Sequence, residues 1–403
     1  MGAVTPAGNT FPYSWERLIK GDTAITTLAE GIANSKVKHA GFLNGFDVSR
    51  YLTVKEARRV DPFVHYAVAA AKMALDDANL MMGGEVSSAI IVGSSRGGIS
   101  TMSAALERFF YKKTSKLEHN FSAYLMPSTT VSMAASYIAQ RFNIKGEVAG
   151  LSTACASGAV AIGEAFRLIK YGVADVVIAG GAEAPLTLVC LEGYDCMGAL
   201  SRKDKSTLAS VPFDLQRDGF VLAEGACILV IEELQRAICN NRHIYAEIIG
   251  YCNYTGGVEQ VKPDIDSAVY AIKCALTSAG VSSKDVDFIN AHGTSTIIGD
   301  EVEAQALGVV FGNRLLALPL TANKSVTGHM LAASAAFEIA VTAMSLKLGL
   351  IPPTANTTHV QPQWGLRVLD KPLDGDFKIA IKTAFGFGGI NSVVVLKRYD
   401  TFI

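Results

Sequence analysis

The chain has 403 residues, 50% of them hydrophobic, and a formal net charge of -1. Its balanced charge excludes the basic footprint of a nucleic-acid binder. No apolar run approaches the roughly 20 residues of a membrane span, and seven cysteines without paired spacing form no disulfide framework, which points to a reducing compartment.

A length beyond the roughly 250–300 residues at which single cores stop growing calls for two domains or two fused halves. The polar stretch QRAICNNRH sets these as residues 1–240 and 241–403. At the start, MGAVTPAGN carries no secretory signal pattern and reads as the turn after a first strand, with that strand missing. Pro62 to Leu80 has a helical pattern, and Ser87 to Ser95 is a short β-branched run closing in Gly and Ser. Ala159 to Tyr171 is the next helix, Ala174 to Ala184 a strand ending in a glycine pair, and Cys227 to Leu234 a third strand. In the second half, Ile265 to Ala279 and His329 to Leu348 read as helices. VDFINAHGTST and FKIAIKTAFGFGG read as strands running into glycine-rich turns, and VVVLKRY as the last strand. Strands that close in such turns and lead into helices define an α/β protein. Active sites in that class gather at the carboxyl ends of the strands.

Three stretches carry chemistry. In GLSTACASGAV, Cys155 sits at a tight turn into a helix, where free N–H groups and the dipole favour a thiolate. Its neighbours Ala154, Ala156, Ser157 and Gly158 leave room for a substrate to reach the sulfur, and its backbone N–H could point at an oxyanion. A cysteine among small residues also suits plain packing, and the six others lack this setting. His292 follows a strand in INAHGTST; His329 stands at a helix start in NKSVTGH, a place that favours the neutral imidazole. In FGFGG, Phe385 to Gly389, three glycines at a strand end suit either a hairpin turn or backbone lying close to a ligand. No CxxC pair, HExxH or phosphate-loop pattern is present, so no metal site is expected.

Taken together in this order, STACASG, AHGTST, NKSVTGH and FGFGG resemble the β-ketoacyl-acyl carrier protein synthases, elongating type I/II branch, most closely synthase II. The resemblance spans essentially the whole chain, including MPST (Met126 to Thr129), AGGAEA, MGALS and RDGFVLAEGA. It implies a thiolase-like α/β fold, two similar halves forming a five-layered αβαβα sandwich, normally as a homodimer. It implies decarboxylative Claisen condensation of acyl-acyl carrier protein with malonyl-acyl carrier protein, giving 3-oxoacyl-acyl carrier protein and CO2 through an acyl-Cys155 thioester. By the same resemblance, His292 and His329 serve decarboxylation and condensation. Lys324 supports the site electrostatically, with Glu338 beside it. Thr294 and Thr296 line the pantetheine tunnel. Phe387 is the gating aromatic whose N–H joins that of Cys155 in an oxyanion hole.

The resemblance also implies substrates carried on the phosphopantetheine of acyl carrier protein, with no redox or metal cofactor. The acyl pocket is expected at the segment after GSSRGGIS, near Met102 and a dimer interface. Lys55, Arg58 and Arg59 are the expected basic docking residues for the acidic carrier protein, with Lys112 and Lys113 a second candidate. The family often has Asn-Ser before FGFGG; Thr383 and Ala384 stand there instead, which puts a bound cation near this loop in doubt. Two alternatives stay open: a ketosynthase of a polyketide or specialised lipid pathway, and a non-catalytic chain-length partner subunit, which Cys155 argues against. The expected compartment is the bacterial cytoplasm or an organellar matrix or stroma.

Overall fold

Two helices rich in small residues organise the molecule. The helix Ala332–Leu348 has 14 buried residues among its 17 and no polar face, so it must be enclosed on every side. The helix Ser157–Lys170 packs along it through its buried half, Ser157 to Ala165. The computed structural model describes residues 1–28, 36–80, 87–111, 121–257 and 263–400; Lys112 and Lys113 fall outside them.

A sheet lies on each side of this helix pair. The first holds, in order, Gly2–Val4, Gly225–Glu232, Val176–Glu183, Ser88–Gly93 and Gly146–Leu151. The last three of these run parallel, and the other two are antiparallel to their neighbours. The second sheet holds Arg367–Val368, Pro319–Thr321, Phe288–Asn290, Ile379–Gly386, Ile390–Lys397 and Glu247–Thr255, its first four strands parallel. Every residue of Val176–Glu183 is buried, the apolar run expected of a strand covered on both faces. Outside the first sheet lie the helices Pro62–Asp77 and Met133–Arg141, and outside the second Ile265–Ala279 and Ile297–Phe311. The result is five layers in the order αβαβα.

The structure corrects the reading of the chain start. Gly2–Val4 is itself a strand, with Gly2 opposite Ile228 and Val4 opposite Ala226. Three residues are too short to display an alternating pattern. Gly146–Leu151 and Glu247–Thr255 are further strands not expected from the sequence. The former lies at the sheet edge, exposed or half-buried along its length, so no apolar run marks it. The last long helix begins at Ala332 rather than His329, because Gly328 and Leu331 both take left-handed φ, +71° and +47°. No described helix is long and apolar enough to cross a membrane.

Contact between the two central helices leaves no room for side chains at their crossing. A Cβ added to Gly158 would stand 2.3 Å from the carbonyl oxygen of Ala332. Gly158→Ala should therefore lower the urea unfolding midpoint, by a loss of about 1–3 kcal/mol typical of overpacking, measured by circular dichroism. An unchanged midpoint would mean that the two helices are not in contact at this point.

Candidate active site

The carboxyl ends of parallel strands from both sheets converge on one cavity of about 440 Å³. From the first sheet, Gly146–Leu151 leads into a turn at Ala154, whose φ of +49° is uncommon for a residue with a side chain. Ser157 braces that turn: its hydroxyl accepts from the N–H of Thr153 at 2.8 Å and donates to the carbonyl of Ala154 at 2.6 Å. Cys155 is thereby placed two residues before the helix Ser157–Lys170, 7% exposed, at the cavity wall. Burial pushes its thiol up to about 12, against the charges of Lys324 and Arg96, which pull it down. Burial therefore works against the thiolate that the helix start and the two cations favour.

The second sheet supplies both histidines. His292 follows the strand Phe288–Asn290, and Glu303 pins its backbone, accepting from the N–H of His292 and of Gly293, each at 2.8 Å. Thr383 joins this clamp, accepting from His292 N–H at 3.0 Å and donating to Glu303 at 2.6 Å. His329 follows the strand Pro319–Thr321 and the turn Lys324–Thr327, and its N–H donates to the carbonyl of Val221 at 2.7 Å. The two imidazoles stand 5.6 Å apart, nearly perpendicular at 84°, flanked by Phe385 and Phe220. Burial, and after it the charge of Lys324, holds both well below the usual 6.5, so both are neutral near pH 7. The sequence had pointed to neutrality through a helix terminus, whereas the principal cause is burial. Ser334 Oγ accepts from Met330 N–H at 2.8 Å and lies 3.3 Å from His329 Nδ1. The Ser334 hydroxyl thus orients the His329 ring through its Nδ1 edge.

Beneath the histidines lies a buried ionic group. Lys324 donates to the carbonyl of His292 at 2.5 Å and to Glu338 Oε1 at 2.6 Å. Glu338 Oε2 pairs with a second buried lysine, Lys382, at 2.9 Å. Burial pulls the Lys382 ammonium down to about 8.

The FGFGG segment is both of the things its sequence suggested. Phe387, Gly388 and Gly389 connect two antiparallel strands, with φ of +85° and +66° at the two glycines. The same segment lies against the Cys155 turn. A Cβ on Gly386 would be 2.7 Å from the carbonyl of Thr153 and 3.4 Å from the amide nitrogen of Cys155. Phe387 lines the cavity, its ring 6.5 Å from that of Tyr194. Thr294 and Thr296 line it too, with their hydroxyls 2.9 Å apart.

Cys155, His292, His329, Phe387, Thr294 and Thr296 thus line one cavity, with the buried Lys324–Glu338 pair bonded to the His292 backbone. Met102 does not line this cavity; it is half-buried on the helix Ile99–Tyr111. Lys55, Arg58 and Arg59 are exposed, away from the cavity wall, and the Arg59 guanidinium lies 4.8 Å over the Tyr124 ring. Among the described residues no group of His, Cys, Asp and Glu side chains could hold a metal ion. Glu303 and Lys382 were not singled out from the sequence. Lys382 gave one hint, as a charge within the mostly apolar strand sequence AIKTAF, whereas Glu303 stands among other polar residues and gave none.

Comparison with known proteins agrees with this geometry. The β-ketoacyl synthase N-terminal domain family matches residues 1–237, and the C-terminal domain family residues 245–358. A 3-oxoacyl-[acyl-carrier-protein] synthase 2 of Staphylococcus aureus (strain N315) is 36% identical over 99% of this chain and 97% of its own. The synthase 2 of Vibrio cholerae serotype O1 is 35% identical, with the same coverage of each chain. Among solved structures, an ishigamide ketosynthase/chain length factor superposes with a TM-score of 0.92 at 28% identity, covering 99% of this chain and 98% of that one. A type II polyketide acyl carrier protein in complex with its ketosynthase bound to the hexaketide gives 0.90 at 30% identity, again over 99% and 98% of the two chains. The chain belongs to the β-ketoacyl synthase family, the condensing enzymes of thiolase-like fold.

The desolvated thiol has a measurable signature. Alkylation of Cys155 by iodoacetamide, read on its peptide by mass spectrometry, should keep accelerating from about pH 7 to about pH 10 rather than level off near the ordinary ~8.5. Lys324→Met should slow it throughout, because that ammonium favours the thiolate. A plateau near ~8.5 would mean that burial does not govern the thiol.

Proposed function

We propose that this protein condenses an acyl group held on Cys155 with malonyl-acyl carrier protein in fatty-acid elongation. The observation that carries this is the shared cavity wall of Cys155, His292 and His329. In the first step the Cys155 sulfur attacks the acyl thioester while a neutral imidazole takes its proton. The carrier protein's thiol leaves with a proton, and the acyl group stays on sulfur. The N–H groups of Cys155 and Phe387 receive the oxyanion, which accords with the approach of Gly386 to that amide.

In the second step malonyl thioester loses CO2, and its enolate oxygen accepts hydrogen bonds from His292 and His329. One such donor is worth about 3–4 kcal/mol in a dry site. Neutral imidazoles suit this role, being able to donate without first losing a proton to the substrate. In the third step the enolate carbon attacks the acyl carbonyl, the C–S bond to Cys155 breaks, and the departing sulfur takes up from water the one proton that the overall condensation consumes. Lys324 and Glu338 hold this set in register. Every step uses side chains and backbone of the protein, and the chemistry draws on no redox or metal cofactor.

The chain is read as two halves, 1–240 with the nucleophile and 241–403 with the histidines. A homodimer is supported by Gly146–Leu151, the edge strand of its sheet among the described residues, and by the exposed Phe109, Phe110 and Phe121. Met102 lies on the helix that carries two of these aromatics, consistent with an acyl pocket closed by a second copy. Seven unpaired cysteines accord with a reducing compartment, the bacterial cytoplasm. A second reading, a polyketide ketosynthase, has its own support in the polyketide-type structural neighbours. Its catalytic set would be identical.

Incubation with a medium-chain acyl-acyl carrier protein should add the acyl mass to the intact protein, and Cys155→Ala should show no gain. Addition of malonyl-acyl carrier protein should then release the elongated 3-oxo product. No acyl gain with any fatty chain would sink the fatty-acid assignment and favour the polyketide reading.

For the carrier protein, Lys55, Arg58 and Arg59 form the proposed basic docking patch. Reversing Arg58 and Arg59 to Glu should raise KM for acyl-acyl carrier protein roughly tenfold or more, the scale of lost electrostatic steering. KM for the matching acyl-pantetheine, which lacks the acidic carrier, should not change. Equal effects on both substrates would place docking elsewhere.

A further inference from the structure

The proposed mechanism leaves the buried charge of Lys382 without a task. Lys382 is in the strand Ile379–Gly386, opposite Asn290 on one side and Val394 on the other, and it is 0% exposed. Lysine is almost never fully buried unless paired, because an ammonium loses its hydration there. At this position an apolar residue would suit the sheet core. Lys382 instead carries a charge into the space behind the active site.

That space is built for a cation. The ammonium donates to the carbonyl of Ala291 at 3.2 Å and to the carbonyl of Thr383, and pairs with Glu338 Oε2 at 2.9 Å. Two carbonyl oxygens and a carboxylate are the oxygen donors that a hard, weakly held cation takes. The contacts also have a geometric effect. Ala291 precedes His292, Thr383 leads toward the FGFGG turn, and Glu338 is the partner of Lys324. One point charge therefore ties together the histidine strand, the hairpin that approaches Cys155 and the second central helix. Lys324 and Lys382 divide the carboxylate of Glu338, one oxygen each.

A free cation bound near this loop, which the family resemblance raised, does not fit these residues. The ammonium of Lys382 already engages the acidic oxygen and both carbonyls. We propose that Lys382 is a positioning residue whose ammonium serves as a tethered cation, holding His292, the FGFGG hairpin and Glu338 in register without a dissociable ion. The proposal rests on the condensing activity proposed above.

Three comparisons test it, with condensation followed as 3-oxoacyl product by mass spectrometry. The wild-type rate should be equal in potassium chloride and in choline chloride at one ionic strength; stimulation by potassium would overturn the proposal. Lys382→Met, nearly the same volume without charge, should lose on the order of a hundredfold in kcat, the scale of a small misplacement of reacting groups. Its KM for malonyl-acyl carrier protein should stay close to wild type. Lys382→Ala should be equally slow, and ammonium or methylammonium chloride should restore it saturably, whereas choline chloride should not.

A purely packing role predicts the reverse: full activity in Lys382→Met and no cation rescue in Lys382→Ala. Either result would overturn the proposal. Should the variants fail to fold, as judged by circular dichroism, the wild-type salt comparison still decides whether a dissociable cation is needed. Absence of any wild-type product would count against the condensing activity itself, so the two readings fail separately.

Discussion

A helix enclosed between two sheets has no solvent-facing side on which to put bulk or charge. That constraint shapes the rest of this molecule. It forces Ala, Gly and Ser along Ser157–Lys170 and Ala332–Leu348, and it lets the backbones approach until Gly158 meets the carbonyl of Ala332. Once both helix starts are pressed together in the middle layer, the turns that feed them must meet as well. One turn carries Cys155 and the other His329. The cavity they line is the place where two chain segments enter the same layer from opposite sheets.

Much of this was legible in the sequence. A strand buried on both faces reads as an unbroken apolar run, so Val176–Glu183 and Ser88–Gly93 were visible within a residue or two. Turns that require glycine announce themselves, so the settings of Cys155, His292, His329 and FGFGG were visible too. The edge strand Gly146–Leu151 was not, because it is exposed and short of the apolar residues that mark a core strand. Glu303 and Lys382 were hidden for a different reason. A buried charge is identified by its partners, and those partners come from remote parts of the chain. Glu303 acts on His292 and Thr383, and Lys382 on Ala291 and Glu338.

The electrostatics of the site could not be read from local sequence either. The helix start beside Cys155 suggested an anionic sulfur, whereas burial pushes the thiol the other way, up to about 12. The same burial, together with the lysine charges, keeps both imidazoles neutral. In the proposed reaction charge develops as the sulfur attacks and as CO2 departs, and the fixed charges of Lys324 and Lys382 are already in place when it does. Positioned dipoles and charges of this kind need no reorganisation during the reaction.

The edge strand Gly146–Leu151 has a consequence for how the protein behaves in a test tube. Among the described residues no strand pairs with its outer side, and its last residue is four positions from Cys155. An open edge is a template for any other strand. If a second copy normally closes it, dilution uncovers the edge and loosens the nucleophile turn in the same event. Specific activity would then fall with protein concentration well before the fold is lost, and the uncovered strand would become the first point of aggregation. Storage concentration would matter to this protein as much as temperature.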